Sequence, residues 1–273
     1  MLIGLNGATT MGAELEVDVQ VAGQAGYDLL EIWSAKLDVF LKSKTVENLG
    51  EILAQAKVRP YSINSIEQIT FQDAAGYEAI VRRCHYLCHI AQALACPYVV
   101  VVPSDKPKGV SRREIFAESV RVLRELAAVA LGYDVGLAFE FIGQPNRTVS
   151  NLADCRRIVE QVDRPNVGLV IDTFHFYAGD STVASIRKID PRKLFILHIN
   201  DAEDRPKSEL TDAHRLFPGQ GVIPLRPIIR ALRKVGYDRM ASIELFRPEY
   251  WQWEPLRVAE MAKARTQEVL GLQ

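Results

Sequence analysis

The chain has 273 residues, of which 48% are hydrophobic and 25% are charged, and its formal net charge is -1 at pH 7. This composition excludes an intrinsically disordered chain, and the balanced charge argues against a polybasic nucleic-acid surface or an acidic tail. The length is typical of one (β/α)8 barrel and is sufficient to bury a large core.

The start of the chain and its cysteines predict the compartment. The segment MLIGLNGATT lacks the basic and long apolar stretches of a secretory peptide, and no apolar run approaches the roughly 20 residues of a membrane span. Without a signal-like start, the four cysteines indicate reduced thiols rather than a disulfide framework. We therefore expect a cytoplasmic protein without a membrane partner.

Short apolar runs alternate with longer amphipathic runs along the chain. The apolar runs predict eight strands, near residues 2–6, 28–33, 58–63, 97–102, 135–140, 167–172, 194–199 and 240–245. The intervals predict helices, such as 111–131 and 150–161, with a short one near 181–188. This alternation, without a shift in composition, predicts an α/β fold, a (β/α)8 TIM barrel that forms a single domain over residues 1–273.

Four of the predicted strands end in a carboxylate or an imidazole. Glu140 ends VGLAFE, Asp172 ends VGLVID, His198 ends KLFILH, and Glu244 lies in ASIELF. A buried strand end cannot hold a lone charge without a partner, because desolvating that charge is costly. In a TIM barrel, the carboxyl ends of the strands meet at one mouth. The four side chains therefore predict a shared site.

Together these strand ends provide three carboxylates and one imidazole. Such a set suits one divalent ion of borderline hardness, Zn²⁺, Mn²⁺ or Co²⁺, and argues against a thiolate-rich structural zinc site. The alternative for each residue alone is an ion pair with an arginine of a neighbouring loop. The combination of all four favours the metal.

Several longer motifs support a resemblance that covers nearly the whole chain. They are LNGATT, GYDLLEIW, FEFIGQP, NVGLVIDTFHFYAGD, LFILHINDAED, FPGQG and SIELFRPEYW. Together they resemble the sugar isomerase/epimerase superfamily of xylose-isomerase-like barrels, and within it the inosose (2-keto-myo-inositol) isomerases of inositol catabolism. The resemblance implies a divalent metal held by Glu140, Asp172, His198 and Glu244, and a small keto-cyclitol or ketose substrate.

The resemblance also implies a reaction. A divalent ion that chelates an α-hydroxy ketone acidifies its α-proton, because it stabilises the developing enediolate. Similar epimerases use two metal-bound glutamates on opposite faces of the substrate, which implies that Glu140 and Glu244 transfer the proton. Returning the proton to the neighbouring carbon moves the carbonyl, whereas returning it to the opposite face of the same carbon epimerises the substrate. The sequence leaves both outcomes open.

Three further polar side chains are candidates for the substrate pocket. In similar epimerases, a histidine at the position of His175 meets a substrate hydroxyl, although it could equally orient a metal ligand. Arg215 matches the arginine that such enzymes direct at substrate oxygens, with a loop salt bridge as the alternative. Glu31, at the tip of the second strand, could orient a polar group, but we expect it to form a structural ion pair.

Aromatic residues also lie at or just after the predicted strand ends. They are Trp33, Phe246, Trp251 and Trp253. These rings predict an aromatic wall over the apolar face of a sugar, although ordinary packing explains them almost as well.

Two patterns that suggest other cofactors are interpreted as structural. Cys84, His85, Cys88 and His89 lie on one predicted helix, which cannot easily surround a tetrahedral ion with all four side chains, and the cysteines fall on its buried side. The GQG of residues 219–221 is too short for a phosphate loop, and no GxGxxG follows the first strand. We therefore expect no nucleotide cofactor.

A nuclease is the alternative from a different functional class. Apurinic-site endonucleases share this barrel, and Asp212 with His214 matches the Asp-x-His pair that helps to bind their additional zinc ions, with His175 as a further ligand. The third and fourth strand ends, SINSIE and VVPSD, lack the histidines that those enzymes need. The chain also lacks the excess of Lys and Arg that binds a phosphate backbone, so we expect no nucleic-acid partner.

The resembled superfamily itself contains two further candidate activities. A related sugar 3-epimerase and an inosose dehydratase, in which loss of a β-hydroxyl follows enediolate formation, would use the same ligands. A non-catalytic sugar sensor is disfavoured by the intact ligand set. The sequence leaves open a second ion near His175, Asp212 and His214, and whether the barrel forms a homo-oligomer.

Overall fold

In the computed structural model, which describes residues 1–272, eight parallel strands close into a barrel. The barrel strands are β1 (Leu2–Asn6), β2 (Leu29–Trp33), β3 (Arg59–Ile66), β4 (Tyr98–Val101), β5 (Gly136–Glu140), β6 (Val167–Asp172), β7 (Leu194–Ile199) and β10 (Met240–Ile243). Two short strands, β8 (Asp201–Ala202) and β9 (Arg215–Leu216), form a separate antiparallel pair.

The strands are connected mainly through α-helices, and the last helix follows β10. These helices are α1 (Leu15–Gln24), α2 (Ser34–Phe40), α3 (Val46–Ala56), α4 (Ala74–Ala93), α5 (Arg112–Leu131), α6 (Leu152–Val162), α7 (Thr173–Ala178), α8 (Val183–Ile186), α9 (Leu225–Lys234) and α10 (Pro255–Leu270). Among residues 1–272, no helix is both long and apolar enough to cross a bilayer.

The predicted fold class and all eight predicted strands are confirmed. The largest difference is in β3, which continues to Ile66, three residues beyond its predicted end at 63. The last strand ends at Ile243, so Glu244 lies just after it rather than inside it. The short helix predicted near 181–188 is the single turn α8.

Local sequence signals explain several helix starts. Ser111 and Glu114 form a reciprocal capping box at the start of α5, and Thr45 and Asn48 form one at α3. Asp172 ends β6 and also caps α7, because its side chain accepts a hydrogen bond from the His175 backbone N–H. A strand end and a helix start therefore share one residue at the barrel mouth.

Aromatic side chains fill the barrel near the amino-terminal ends of its strands. Tyr98 stacks on Phe195 with ring centroids 4.5 Å apart, and Tyr61 packs against Tyr98 at 5.3 Å. The neighbouring strands carry glycine where these rings lie: a Cβ on Gly136 would stand 2.9 Å from Tyr98, and one on Gly168 would stand 2.7 Å from Phe195. This packing closes one end of the barrel, and the predicted site lies at the other.

Candidate metal and substrate site

The barrel brings the four predicted ligands together. Glu140 and Asp172 are the last residues of β5 and β6, His198 is the penultimate residue of β7, and Glu244 follows β10. One ligand atom from each lies within 4.8 Å of the others, and all four residues are buried. Among residues 1–272, this is the only such group of three or more His, Cys, Asp or Glu side chains.

His198 divides its two ring nitrogens between this cluster and Glu31. Nδ1 lies 3.0 Å from Glu140 Oε1 and 3.3 Å from Glu244 Oε2, whereas Nε2 lies 3.1 Å from Glu31 Oε1. Ser242 donates a hydrogen bond to Glu31 Oε2 over 2.6 Å and fixes that carboxylate. The ion pair expected of Glu31 is therefore made with His198, and it also orients the imidazole towards the other three predicted ligands.

The site carries more negative than positive charge, and protons compensate for part of the excess. Burial raises the pKa of Glu140 to about 8; His198 opposes this rise, and the carboxylates of Glu244 and Asp172 add to it. Burial alone would lower the pKa of His198, but Glu244, Glu31 and Glu140 hold it well above its ordinary value. A divalent cation would compensate for the same charge, so the donor set fits a metal ion.

Two amides that the sequence analysis missed hold Glu244 in place. Asn6 Nδ2 and Asn64 Nδ2 donate to Glu244 Oε1 over 3.0 and 2.9 Å, from the ends of β1 and β3. The criterion that identified the predicted ligands, a carboxylate or an imidazole at the end of an apolar run, does not include amides, and β3 itself contains several polar residues. A search for any polar side chain near a strand end would have included both. Their hydrogen bonds fix one carboxylate oxygen and direct the other into the cluster.

Asp172 is held on both of its oxygens. Oδ1 accepts from the His175 backbone N–H over 2.8 Å, and Oδ2 accepts from Asn200 Nδ2 and Arg215 Nη1 over 2.9 and 2.6 Å. Burial favours the neutral acid, but Arg215 and then His175 and His198 outweigh it and hold the pKa of Asp172 below its ordinary value. Asp172 is therefore ionised at neutral pH.

Arg215 is buried among carboxylates and aromatic rings. Nη1 donates to Asp172 Oδ2 and Glu244 Oε2. Nη2 donates to Asp212 Oδ1 over 2.8 Å and contacts His175 Nε2 at 3.1 Å. A loop salt bridge, the alternative role considered for Arg215, is therefore present with Asp212. Arg215 also contacts two predicted metal ligands, Asp172 and Glu244.

The Arg215 guanidinium also packs against aromatic rings. Its carbon lies 5.0 and 5.2 Å from the ring centroids of Phe174 and Phe246. A substrate role for Arg215 stays a prediction.

A pocket of about 110 Å³ opens onto this cluster. Trp33 and Phe246 line it with their rings 5.4 Å apart in an edge-to-face arrangement.

The other two predicted aromatic residues do not line this pocket. Trp251 donates to the Ala8 carbonyl over 2.9 Å, and Trp253 packs against Tyr250 with ring centroids 5.1 Å apart. Two of the four predicted aromatic residues therefore line the pocket, together with side chains that include Arg147, His175 and Arg215.

The residues considered for a second ion do not converge on one. His214 turns its Nδ1 to the backbone N–H of Thr211 at 3.0 Å, within a 3-10 turn, and Asp212 accepts hydrogen bonds from Arg215. Within residues 1–272, His175, Asp212 and His214 do not form a group of metal-ligating atoms. The arrangement therefore gives no support to the nuclease alternative.

The Cys/His residues of α4 and the GQG segment, both interpreted as structural, make ordinary contacts within the protein. Cys84 and Cys88 are buried on α4 with their sulfur atoms 3.9 Å apart, whereas His85 and His89 are exposed. The turn at residues 219–221 is held by Asp201, whose Oδ2 accepts from the Gly219 backbone N–H over 3.0 Å. A backbone donor of the GQG segment is thus bound to a carboxylate of the protein.

Comparison with known proteins gives a consistent result. The xylose isomerase-like TIM barrel family matches residues 19–267. The inosose isomerase of Halalkalibacterium halodurans is 38% identical over 273 residues, which cover 99% of this chain and 97% of that protein. The inosose isomerase of Bacillus subtilis is 36% identical, with 99% and 98% covered. A crystal structure of IolI protein with a binding zinc atom has a TM-score of 0.96 at 36% identity and covers 99% and 98% of the two chains.

Proposed function

The chain belongs to the xylose isomerase-like TIM barrel family, and from this membership we propose that it is a metal-dependent isomerase of inososes, in inositol catabolism. The observation that carries the proposal is the convergence of three carboxylates and one imidazole within 4.8 Å at the mouth of the barrel. The substrate class follows from relatives named inosose isomerase that match almost the full chain. These substrates are small polyhydroxylated ring ketones.

We assign one divalent ion to Glu140, Asp172, His198 and Glu244. Zinc is supported by the zinc in the similar IolI structure, and Mn²⁺ or Co²⁺ would suit the same donors. When bound, the ion polarises the α-hydroxy ketone and so acidifies its α-proton. Glu31 and Ser242 hold the ligand His198 in the orientation that this site needs.

Glu140 and Glu244 transfer the proton. Glu140 is buried at the end of β5 and, like Glu244, lines the pocket that opens onto the cluster. Glu244 presents a fixed oxygen, because Asn6 and Asn64 bind the other one. The strands before these residues, β5 and β10, are separated in the barrel by β6 and β7, so the two carboxylates approach the pocket from different sides. This placement suits removal of a proton by one and its return by the other.

His175 donates a hydrogen bond to a substrate oxygen. Burial lowers the pKa of its imidazole, which is therefore neutral at pH 7. Nε2 accepts from Arg215 at 3.1 Å, so the proton of the neutral ring lies on Nδ1. Nδ1 is buried and has no hydrogen-bond partner within residues 1–272. A substrate hydroxyl or carbonyl in the pocket would accept this hydrogen bond, and Arg215 would hold the ring in place for it.

The proposal is tested by NMR of metal-loaded protein incubated with scyllo-inosose in D2O. An isomerase shifts the carbonyl to the adjacent carbon and exchanges deuterium at the carbons involved. Inversion at one carbon with the carbonyl in place would indicate an epimerase, and loss of a hydroxyl would indicate a dehydratase. Protein that produces neither exchange nor product from this inosose or from related ketoses would refute the proposed function.

A further inference from the structure

The pocket contains a second arginine that has no part in the proposed metal binding or proton transfer. Arg147 lies in the loop between β5 and α6 and lines the same pocket as Glu140 and Glu244. Its Nε and Nη1 are buried, yet neither makes a hydrogen bond within residues 1–272. Leaving a buried donor without an acceptor is unfavourable, and more so for a charged group. These two donors therefore point to a ligand that supplies acceptors.

The ion-pair partner of this guanidinium does not satisfy its donors. Asp105 Oδ1 lies 3.4 Å from Arg147 Nε, which is an ion-pair contact without hydrogen-bond geometry. The same oxygen accepts a hydrogen bond from Asn146 Nδ2 over 3.1 Å, and the Asp105 side chain is 57% exposed. Asp105 therefore balances part of the charge of Arg147 and leaves its donors available.

The loop that carries Arg147 is tied down before any substrate arrives. The backbone N–H and the hydroxyl of Thr148 both donate to the Ser104 carbonyl, over 3.0 and 2.9 Å. The Lys106 backbone N–H donates to the Asn146 carbonyl over 2.6 Å, and Asp105 pairs with Arg147 in an isolated β-bridge. These contacts join the loop after β5 to the loop after β4. The loop backbone therefore loses little conformational freedom when the guanidinium binds a ligand.

The chemistry of the proposed substrate supplies the missing acceptors. An inosose carries a hydroxyl on each ring carbon other than the carbonyl carbon. Hydroxyls that an ion held by the four predicted ligands would not bind would be left to other side chains of the pocket. Within the described chain, Arg147 makes no hydrogen bond or ion pair with the four predicted metal ligands. On the basis of the proposed function, we propose that Arg147 binds substrate hydroxyls that do not reach the metal. Arg147 thereby selects for a fully hydroxylated ring.

The test compares Arg147→Met with the wild type on an inosose and on mono-deoxy inososes, each lacking one hydroxyl. Removing the charged donors should lower kcat/KM for the inosose roughly 10- to 100-fold, mainly through KM. For the analogue that lacks the contacted hydroxyl, the wild type and the variant should differ by less than about threefold. Arg112→Met, on the exposed start of α5, is the matched control and should behave as the wild type.

Metal content and circular dichroism are measured on each preparation. If Arg147→Met matches the wild type in both, its loss of activity reflects a binding role of Arg147 and not a structural one. A loss for Arg147→Met that is equal on the inosose and all deoxy analogues would overturn the proposal, and so would an unchanged kcat/KM. If the wild type does not turn over the inosose, the proposed function fails, but the role of Arg147 in binding is still undecided. Calorimetric titration of the inosose then decides the role of Arg147: weaker binding by Arg147→Met supports it, and equal Kd values overturn it.

Discussion

At the proposed metal site, protonation of His198 competes with metal binding. Its Nδ1 faces Glu140 and Glu244, and in the protein without metal its pKa is held well above the ordinary value by carboxylates. Glu140, with a pKa of about 8, also holds a proton at neutral pH. A metal ion must displace both protons before it can bind to these atoms.

We therefore predict that metal affinity rises with pH between about 6 and 8, by up to about tenfold per pH unit for each displaced proton. The sign follows from the raised pKa values: protons compete with the cation, and they become scarcer as pH rises. Calorimetric titrations with Zn²⁺ in buffers of different ionisation enthalpy measure the protons released. An affinity independent of pH, with no proton release at pH 7, would contradict this prediction.

Proton transfer is tested by Glu140→Gln and Glu244→Gln. Each should lower isomerisation by at least roughly 100-fold, because general acid–base groups typically contribute 10²- to 10⁴-fold. Metal content must be measured on the same preparations, since loss of a ligand could produce the same defect. Glu249→Gln, which changes an exposed carboxylate, is the control. Wild-type rates in both metal-replete variants would show that neither glutamate is the acid–base group.

At the scale of elements, a buried ion pair joins α1 to α2. Lys36 Nζ lies 2.7 Å from Asp18 Oδ2 and donates to the Thr10 carbonyl over 2.8 Å, and Asp18 also accepts from the Thr10 hydroxyl. The side chains of Asp18 and Lys36 are 0% and 8% exposed. Water therefore cannot replace either partner.

We predict that Asp18→Asn lowers the free energy of unfolding by about 3–5 kcal/mol, because it leaves the Lys36 ammonium buried without its counter-charge. Glu16→Gln is the matched control on the same helix. Its partner Lys44 is 38% exposed, so the change should be below about 1 kcal/mol. Urea unfolding followed by circular dichroism measures both, and equal midpoints for the two variants would contradict the prediction.

The elements also show what could be predicted from the sequence. Apolar runs with polar ends define the strands and place Glu140, Asp172 and His198 at the barrel mouth, because one local pattern determines both. Contacts between distant residues are not visible in that pattern: Asn6 and Glu244 are 238 residues apart. Loop positions such as Arg147 depend on backbone pairing between irregular segments, for which neither helical nor strand periodicity gives a signal.

For the whole molecule, we predict about one divalent ion per chain and higher thermal stability with the ion than without it. An ion that binds the folded state adds RT ln(1 + [L]/Kd), about 2.7 kcal/mol at a concentration of 100 Kd. Elemental analysis and melting curves before and after chelation measure both effects. His198→Ala should lose the ion, whereas His89→Ala, on the exposed face of α4, should keep it. Equal metal content in His198→Ala and the wild type would refute the ligand assignment.

The barrel can close only after the last of its strands has been synthesised. β10 begins at Met240 and lies between β1 and β7, so it joins the two ends of the remaining sheet. Until the ribosome has made these residues, β1 and β7 each present an unpaired strand edge to other nascent chains. Premature termination before Met240 would release a product with both edges open. Such fragments, more than full-length chains, are the species that we expect to aggregate or to occupy chaperones.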